Sequence, residues 1–238
     1  MILFFIRHAQ SANNALYDAT GADVGRVQDP ELTPLGQQQA ARLAQALRSG
    51  HPGASSAEGA PGGGYGITHL YCSLRVRAAL TADAVGQALG LAPTGWLDLH
   101  EGGGIWLADA ATGEPVGLPG NPRSVLARRF PRLVLPLEVT EAGWWNRDFE
   151  KKDERLPRAQ RVIQKLLEMH GGTEDRVALV SHGGFYNYVL SAALGLPRSE
   201  SFWFVSNNTG ISRLDFQDGT VDVMYLNRTD FLPGEMIS

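Results

Sequence analysis

Apolar positions in this chain occur either as short unbroken runs or at helical spacing. Ile2 to Ile6 is a continuous apolar run that stops at Arg7-His8, as a strand covered on both faces does. Thr33-Pro34 reads as a helix cap and first turn. Leu35, Ala40, Leu43, Ala44 and Leu47 then fall near helical spacing, with Gly50 as the stop. Thr68 to Ser73 predicts a second strand and Arg77 to Leu89 a helix closed by Gly90. Leu97 to Leu99 has the length of a short strand. A short helix is expected behind Asn121 as cap and Pro122 as first residue, with Val125, Leu126 and Phe130 inward. A longer one should pack Val162, Ile163, Leu166, Leu167 and Met169. Val177 to Ser181 is another apolar run, ending in His182-Gly183-Gly184, and Phe185 to Leu194 reads as helix. Ile211 to Phe216 and Val221 to Leu226 flank Asp218-Gly219, a hairpin signal.

Strands alternating with helices predict an α/β fold: three layers, α/β/α, around a mostly parallel sheet with an antiparallel edge strand. No repeat and no domain boundary stands out, so residues 1–238 are read as one domain. Two stretches interrupt the pattern. Residues 51–66 hold six glycines and two prolines and read as a flexible surface insertion. Residues 102–153 are rich in Gly, Pro and Trp, and are expected to form a cap that sets specificity.

Composition narrows the field. The net charge of −4 at pH 7 supplies no basic field for nucleic acid or an acidic membrane. The single cysteine, Cys72, allows no internal disulfide. The apolar start is too short to span a membrane and lacks the basic flank of a signal peptide. A cytoplasmic location is therefore expected; a monomer and a homodimer are both open.

Four segments place polar residues directly after candidate strands: Arg7-His8-Ala9-Gln10-Ser11-Ala12-Asn13-Asn14, Ser73-Leu74-Arg75-Val76-Arg77, Leu99-His100-Glu101-Gly102-Gly103-Gly104, and Ser181-His182-Gly183-Gly184. Sites in open α/β sheets form beyond the carboxyl ends of strands. If the four converge, one pocket holds two histidines, two or three arginines and a carboxyl group. Guanidinium groups match a phosphate dianion with paired hydrogen bonds. A neutral imidazole can attack phosphorus, and a glutamic acid can protonate the leaving oxygen. No Cys/His spacing points to a metal, and arginines beside the histidines would repel one. No cofactor is expected. His100 could line the pocket or sit in an exposed turn, and Arg75 reads as a surface or supporting residue. His51, His69 and His170 lack a partner pattern. Trp144-Trp145 either packs the irregular region onto the core or lines the pocket mouth. The second reading is preferred, and it would let Arg147 meet a second anionic group.

Arg7-His8 with Ser11 and Asn14, Leu32-Thr33-x-x-Gly36-x-x-Gln39-Ala40, Ser73-x-x-x-Arg77-Ala78-x-x-Thr81, Leu99-x-Glu101, Ser181-His182-Gly183 and Asn208-x-Gly210-Ile211-Ser212 occur in one order along most of the chain. This set resembles the histidine phosphatase superfamily, whose best-known branch is cofactor-dependent phosphoglycerate mutase. The resemblance implies a phosphoglycerate mutase-like fold and makes His8 the phosphorylated nucleophile. It gives Arg7, Arg77 and His182 the phosphoryl group to hold, and Glu101 the acid and base role. Asn14 and the Gly183 amide become secondary phosphate contacts, and Ser11 a substrate contact. Ala9 stands where the family has glycine, whose carbonyl faces the nucleophile's other ring nitrogen. The mutases follow their glutamate with an Arg-His-Tyr stretch; Gly102-Gly103-Gly104 replaces it here. That substitution favours a phosphatase of a small phosphorylated metabolite over a mutase. A catalytically inactive binding protein of the same fold is the remaining alternative.

Overall fold

The computed structural model describes residues 1–50, 64–197 and 201–238. In chain order the elements are β1 (Ile2–Arg7), α1 (Ala12–Thr20), α2 (Pro34–Ser49), β2 (His69–Cys72), α3 (Val76–Leu89) and β3 (Thr94–Gly95). There follow β4 (Trp106–Ala108), β5 (Pro115–Gly117), α4 (Arg123–Arg129), α5 (Arg155–His170), β6 (Arg176–Ser181), α6 (Gly183–Ala193), β7 (Ile211–Gln217) and β8 (Thr220–Arg228).

A six-stranded sheet runs in the order β3-β2-β6-β1-β7-β8. β1, β2, β3 and β6 are parallel, while β7 runs antiparallel to β1 and β8 antiparallel to β7. The antiparallel part is thus a two-stranded hairpin rather than one edge strand. Its two turn residues, Asp218 and Gly219, both have positive φ (51° and 77°), the backbone a tight hairpin of this kind demands.

The unbroken apolar run of β1 has the two-sided burial it predicts. Leu3 and Phe5 enter one core with Val162 and Leu166 of α5 and Phe185 and Val189 of α6. Phe4 and Ile6 enter the other with Leu43 and Leu47 of α2 and Ala82 and Val85 of α3. Alternation across the strand therefore makes the three layers. A third cluster organises the irregular region: Trp144 and Trp145 pack against Leu74, Ala79, Ile105, Leu126, Phe130 and Val139. Among the described residues no helix is long and apolar enough to cross a membrane.

Several sequence expectations need correction. Leu97–Leu99 is a 3-10 turn; the strand beside β2 is the two-residue β3, too short to show a pattern. The N-cap of α4 is Pro122, with no side-chain cap, and the Asn121 side chain donates to Asp29 Oδ2 (3.3 Å). On α5, Leu167 and Met169 face outward (41% and 40% exposed). The buried face there is Arg158, Ala159, Val162, Ile163, Leu166 and His170, a three- and four-residue spacing that carries His170 into the interior. Helix α1 has no sequence forecast: Ser11 caps it and Asn14 closes the capping box, a pairing in which asparagine replaces the usual Glu or Gln. Of the glycine-rich stretch, residues 51–63, with His51, lie outside the described residues. Its end does pack. Tyr65 is fully buried against Phe4, with ring centroids 5.4 Å apart, and its amide donates to the Leu47 carbonyl (2.9 Å).

Candidate active site

Parallel pairing sets the two histidines side by side. Arg7 is in register with Ser181, and Cys72 with Val180, so the chains leaving β1, β2 and β6 emerge at one carboxyl edge. His8 and His182 follow directly, with ring centroids 5.0 Å apart.

The His8 ring is fixed at both nitrogens. Nδ1 lies 2.7 Å from the Ala9 carbonyl, which accepts its proton. Nε2 accepts a hydrogen bond from Arg77 Nε at 2.8 Å. Since a guanidinium only donates, the lone pair is on Nε2. Burial, then the charges of Arg77 and Arg7, push the His8 pKa well below 6.5, so the ring is the neutral imidazole that nucleophilic attack needs. The motif residues around it brace its backbone. The Ala9 amide donates to Thr81 Oγ1 (3.1 Å) and the Gln10 amide to Gln39 Oε1 (2.8 Å). Asn208 Nδ2 donates to the His8 carbonyl (2.9 Å). A Cβ on Gly36 would lie 2.0 Å from the Gln10 carbonyl oxygen, which is why the third residue of α2 is glycine.

Around the histidines are donors with no acceptor. Arg7 gives Nη1 to the Ser206 carbonyl, but its Nε is buried without a partner. Among the described residues so are Arg75 Nε and Nη2 and Arg26 Nε, and His182 Nδ1 has no partner either, a donor if Ser73 gives its proton to Nε2. His182 Nε2 is held by Ser73 Oγ at 2.8 Å, which leaves Nδ1 for another group. Unmet buried donors cost roughly 1–3 kcal/mol each, and such a group of them fits an anion. Burial and the Arg75 charge pull Arg77 down to about 9, a penalty that a bound dianion would relieve.

Glu101 lies within reach of this cluster, and its charge acts on Arg7, Arg75 and Arg77. Its Oε2 accepts the Gly184 amide of α6 at 3.0 Å and its Oε1 accepts the Gly102 amide at 2.8 Å. The next glycines are packed closely. A Cβ on Gly102 would meet the Arg155 guanidinium at 2.7 Å, on Gly103 the Phe149 ring at 2.4 Å, and on Gly104 the Trp145 ring at 2.1 Å. The last two have φ of 90° and 70°. The loop is therefore glycine because side chains arriving from 145 to 155 fill its space. Behind it, Arg158 forms a two-pronged ion pair with Glu150 (2.5 and 2.9 Å) and donates to the Asp98 and His100 carbonyls.

The structure thus brings His8, Arg7, Arg77, His182, Glu101 and the first turn of α6 with Gly183 together. It does not bring Arg147, whose exposed guanidinium stacks 4.2 Å from the Trp145 ring centroid. Trp144 and Trp145 are core residues at 2% and 5% exposure, so the mouth reading of this pair fails. Ser11 donates to Asn14 Oδ1 at 2.8 Å, which commits its hydroxyl to the helix cap; only the amide nitrogen of Asn14 is open to a phosphate. His100 is neither exposed nor facing the site; it is 1% exposed and holds the Glu101 carbonyl through Nδ1 at 2.8 Å.

Two further arginines join the site: Arg75, from a segment the sequence already marked, and Arg26, which had no sequence signal. Arg75 is fully buried, so it is not a surface residue, and it donates to the Gln28 carbonyl at 3.0 Å, as a supporting residue does. Arg26 lies over the Trp106 ring at 4.1 Å, and its charge acts on Glu101, Arg75 and Arg77. Asp29 balances them. Its Oδ1 accepts the Val76 amide at 3.0 Å, and burial raises its pKa against the pull of Arg75 and Arg77.

The sequence model of the histidine phosphatase superfamily (branch 1) matches residues 3–111 and 117–229. The chain belongs to the histidine phosphatase superfamily. A curated relative in this family, probable phosphoglycerate mutase GpmB of Salmonella arizonae, is 26% identical over 227 residues, covering 91% of this chain and 85% of its own. The counterpart in Yersinia enterocolitica is 26% identical over 216 residues, at the same coverage. Among solved structures, Entamoeba histolytica phosphoserine phosphatase in complex with 3-phosphoglyceric acid aligns with a TM-score of 0.60 at 20% identity. That alignment covers 98% of this chain and 99% of that one. A putative alpha-ribazole-5'-P phosphatase of Escherichia coli aligns at 0.61 and 20% identity, over 96% and 97%. At these identities the histidine phosphatase structures establish the shared α/β fold.

Proposed function

We propose that this member of the superfamily is a metal-independent phosphatase of a small phosphorylated metabolite, working through a phosphohistidine on His8. The observation that carries the reading is the fixed tautomer of His8: a buried, neutral ring whose Nε2 lone pair lies against Arg77. In this reading Nε2 attacks phosphorus, and the bond from phosphorus to the ester oxygen breaks. Glu101 gives that oxygen its proton. Water then attacks the phosphohistidine, the N–P bond breaks, and Glu101 takes the proton back. Arg7, Arg77, His182 Nδ1 and the Gly183 amide bind the phosphoryl oxygens, with the Asn14 amide beside them. Arg26, at the edge of the cluster, rather than Arg147, faces a second anionic group of the substrate.

Phosphoglycerate mutase activity is the second reading. It is favoured by the names of the 26% identical relatives and by Arg155, whose guanidinium fills the space above Gly102 where a clamp would stand. The deciding experiment is a screen of phosphorylated metabolites with phosphate detection, run with and without EDTA, beside an isomerisation assay on 3-phosphoglycerate. The expected result is phosphate release insensitive to EDTA, with acid-labile phosphate on His8 after quenching and none in His8→Ala. Rapid isomerisation with little phosphate release establishes the mutase instead. Wild-type inactivity on every ester would favour a binding protein.

A further inference from the structure

His170 and Asp175 are neighbours across the short turn from α5 to β6, and the distant His69 joins them at the end of the sheet opposite the candidate active site. His69 opens β2, His170 closes α5, and Asp175 immediately precedes β6. Asp175 hydrogen-bonds His170 and lies near His69, whose Nδ1 is paired with Thr68 Oγ1 at 2.9 Å, a contact that a metal on that nitrogen would replace. Asp175 Oδ2 is 2.8 Å from His170 Nδ1 and its Oδ1 is 3.7 Å from His69 Nδ1. One donor atom from each residue lies within 4.8 Å of the others, and the two imidazole rings are 4.5 Å apart.

We propose that His69, His170 and Asp175 form a structural site for a divalent transition metal of the zinc type, unrelated to catalysis. Two imidazoles and a carboxylate are a good donor set for such a cation. Zinc bonds of about 2.0–2.2 Å set tetrahedral ligand atoms about 3.4 Å apart, so the donors need shifts of an ångström or so. Three protein ligands leave the fourth position to water.

The surroundings fit a metal as well as the three ligands do. Tyr71 Oη lies 3.0 Å from His170 Nε2. Metal-bound histidines are characteristically oriented by such a hydrogen bond on the far ring nitrogen. With a metal on Nδ1, Nε2 would carry the proton and donate it to Tyr71 Oη. His170 is rigidly buried at 5% side-chain exposure, whereas His69 at 41% and Asp175 at 27% open the site to solvent. The Arg176 guanidinium next along the chain is turned away, to the Tyr65 carbonyl at 2.6 Å, so it does not confront a cation here. A bound ion would tie the ends of β2, α5 and β6 together, and its gain would be stability.

The test uses EDTA-stripped, desalted protein titrated with zinc chloride by calorimetry, with thermal unfolding alongside. One saturable site per chain is expected. At a hundredfold excess over the Kd, Tm should rise by about 5–10 °C. His69→Ala and Asp175→Asn, both at accessible positions, are each expected to weaken binding at least about tenfold, and Tyr71→Phe by about tenfold. His8→Ala tests the catalytic histidine pair as the rival host and should bind zinc like wild type. Absence of saturable binding overturns the proposal. So does binding that survives both His69→Ala and Asp175→Asn, or that is lost in His8→Ala.

Discussion

At the scale of single residues, the position after the nucleophile shows which part of a motif matters. Ala9 stands where the family has glycine, yet its carbonyl still accepts from His8 Nδ1 at 2.7 Å. Ala9 is not among the residues with positive φ, so a Cβ is tolerated, and the methyl is buried with Leu32 and Ala40. Gly184 is the opposite case. Its Cβ would sit 2.6 Å from Glu101 Oε1, on the group assigned to proton transfer. Gly184→Ala is expected to leave thermal stability nearly unchanged, since alanine favours the helix by up to about 1 kcal/mol. It should lower kcat about 10–100-fold for alkyl phosphates, whose leaving oxygen needs the proton, and far less for aryl phosphates. Steady-state kinetics on one ester of each kind checks this; an equal loss on both would remove Glu101 from the proton-transfer role.

At the scale of elements, the irregular region is held by a polar brace rather than by regular structure. Arg158 on α5 is 2% exposed and Glu150 8%. Together they reach the Gly103 amide and the carbonyls of Asp98 and His100, on both sides of Glu101. Removing one partner of a buried pair leaves the other charge unmatched, at a cost of about 3–5 kcal/mol. Arg158→Met is therefore expected to lower stability by that amount, measured by urea unfolding, and to lower kcat more than it raises KM. Glu150→Gln/Arg158→Met should recover part of the stability without restoring kcat. In the sequence, Glu150 and Arg158 read as ordinary charges. Only the fold of 102–153 onto α5 removes them from water.

At the scale of the whole molecule, three buried histidines couple folding to pH. Burial holds His8, His100 and His182 well below 6.5, so they stay neutral in the fold as pH falls through that value. The unfolded chain protonates them there and binds more protons than the folded one. Stability should therefore fall as pH drops below about 6.5, each histidine removing about 1.4 kcal/mol per pH unit until its folded pKa is reached. Asp29, raised by burial, works in the opposite sense at lower pH. Urea midpoints between pH 7.5 and 5.5 check the slope; a flat profile would mean that these rings are charged in the fold. The sequence by itself determined the layered α/β fold and the set His8, Arg7, Arg77, Glu101 and His182. Strand runs and motif spacing are local, and parallel strands deliver their ends to one edge. Tertiary structure alone decided the rest. Arg26 enters the site from a segment without periodicity, and Arg147 stays outside it, exposed over the ring of the core residue Trp145. His69 meets the local pair His170 and Asp175 because β2 lies beside β6 in the sheet, a contact made by strand pairing between segments distant in sequence.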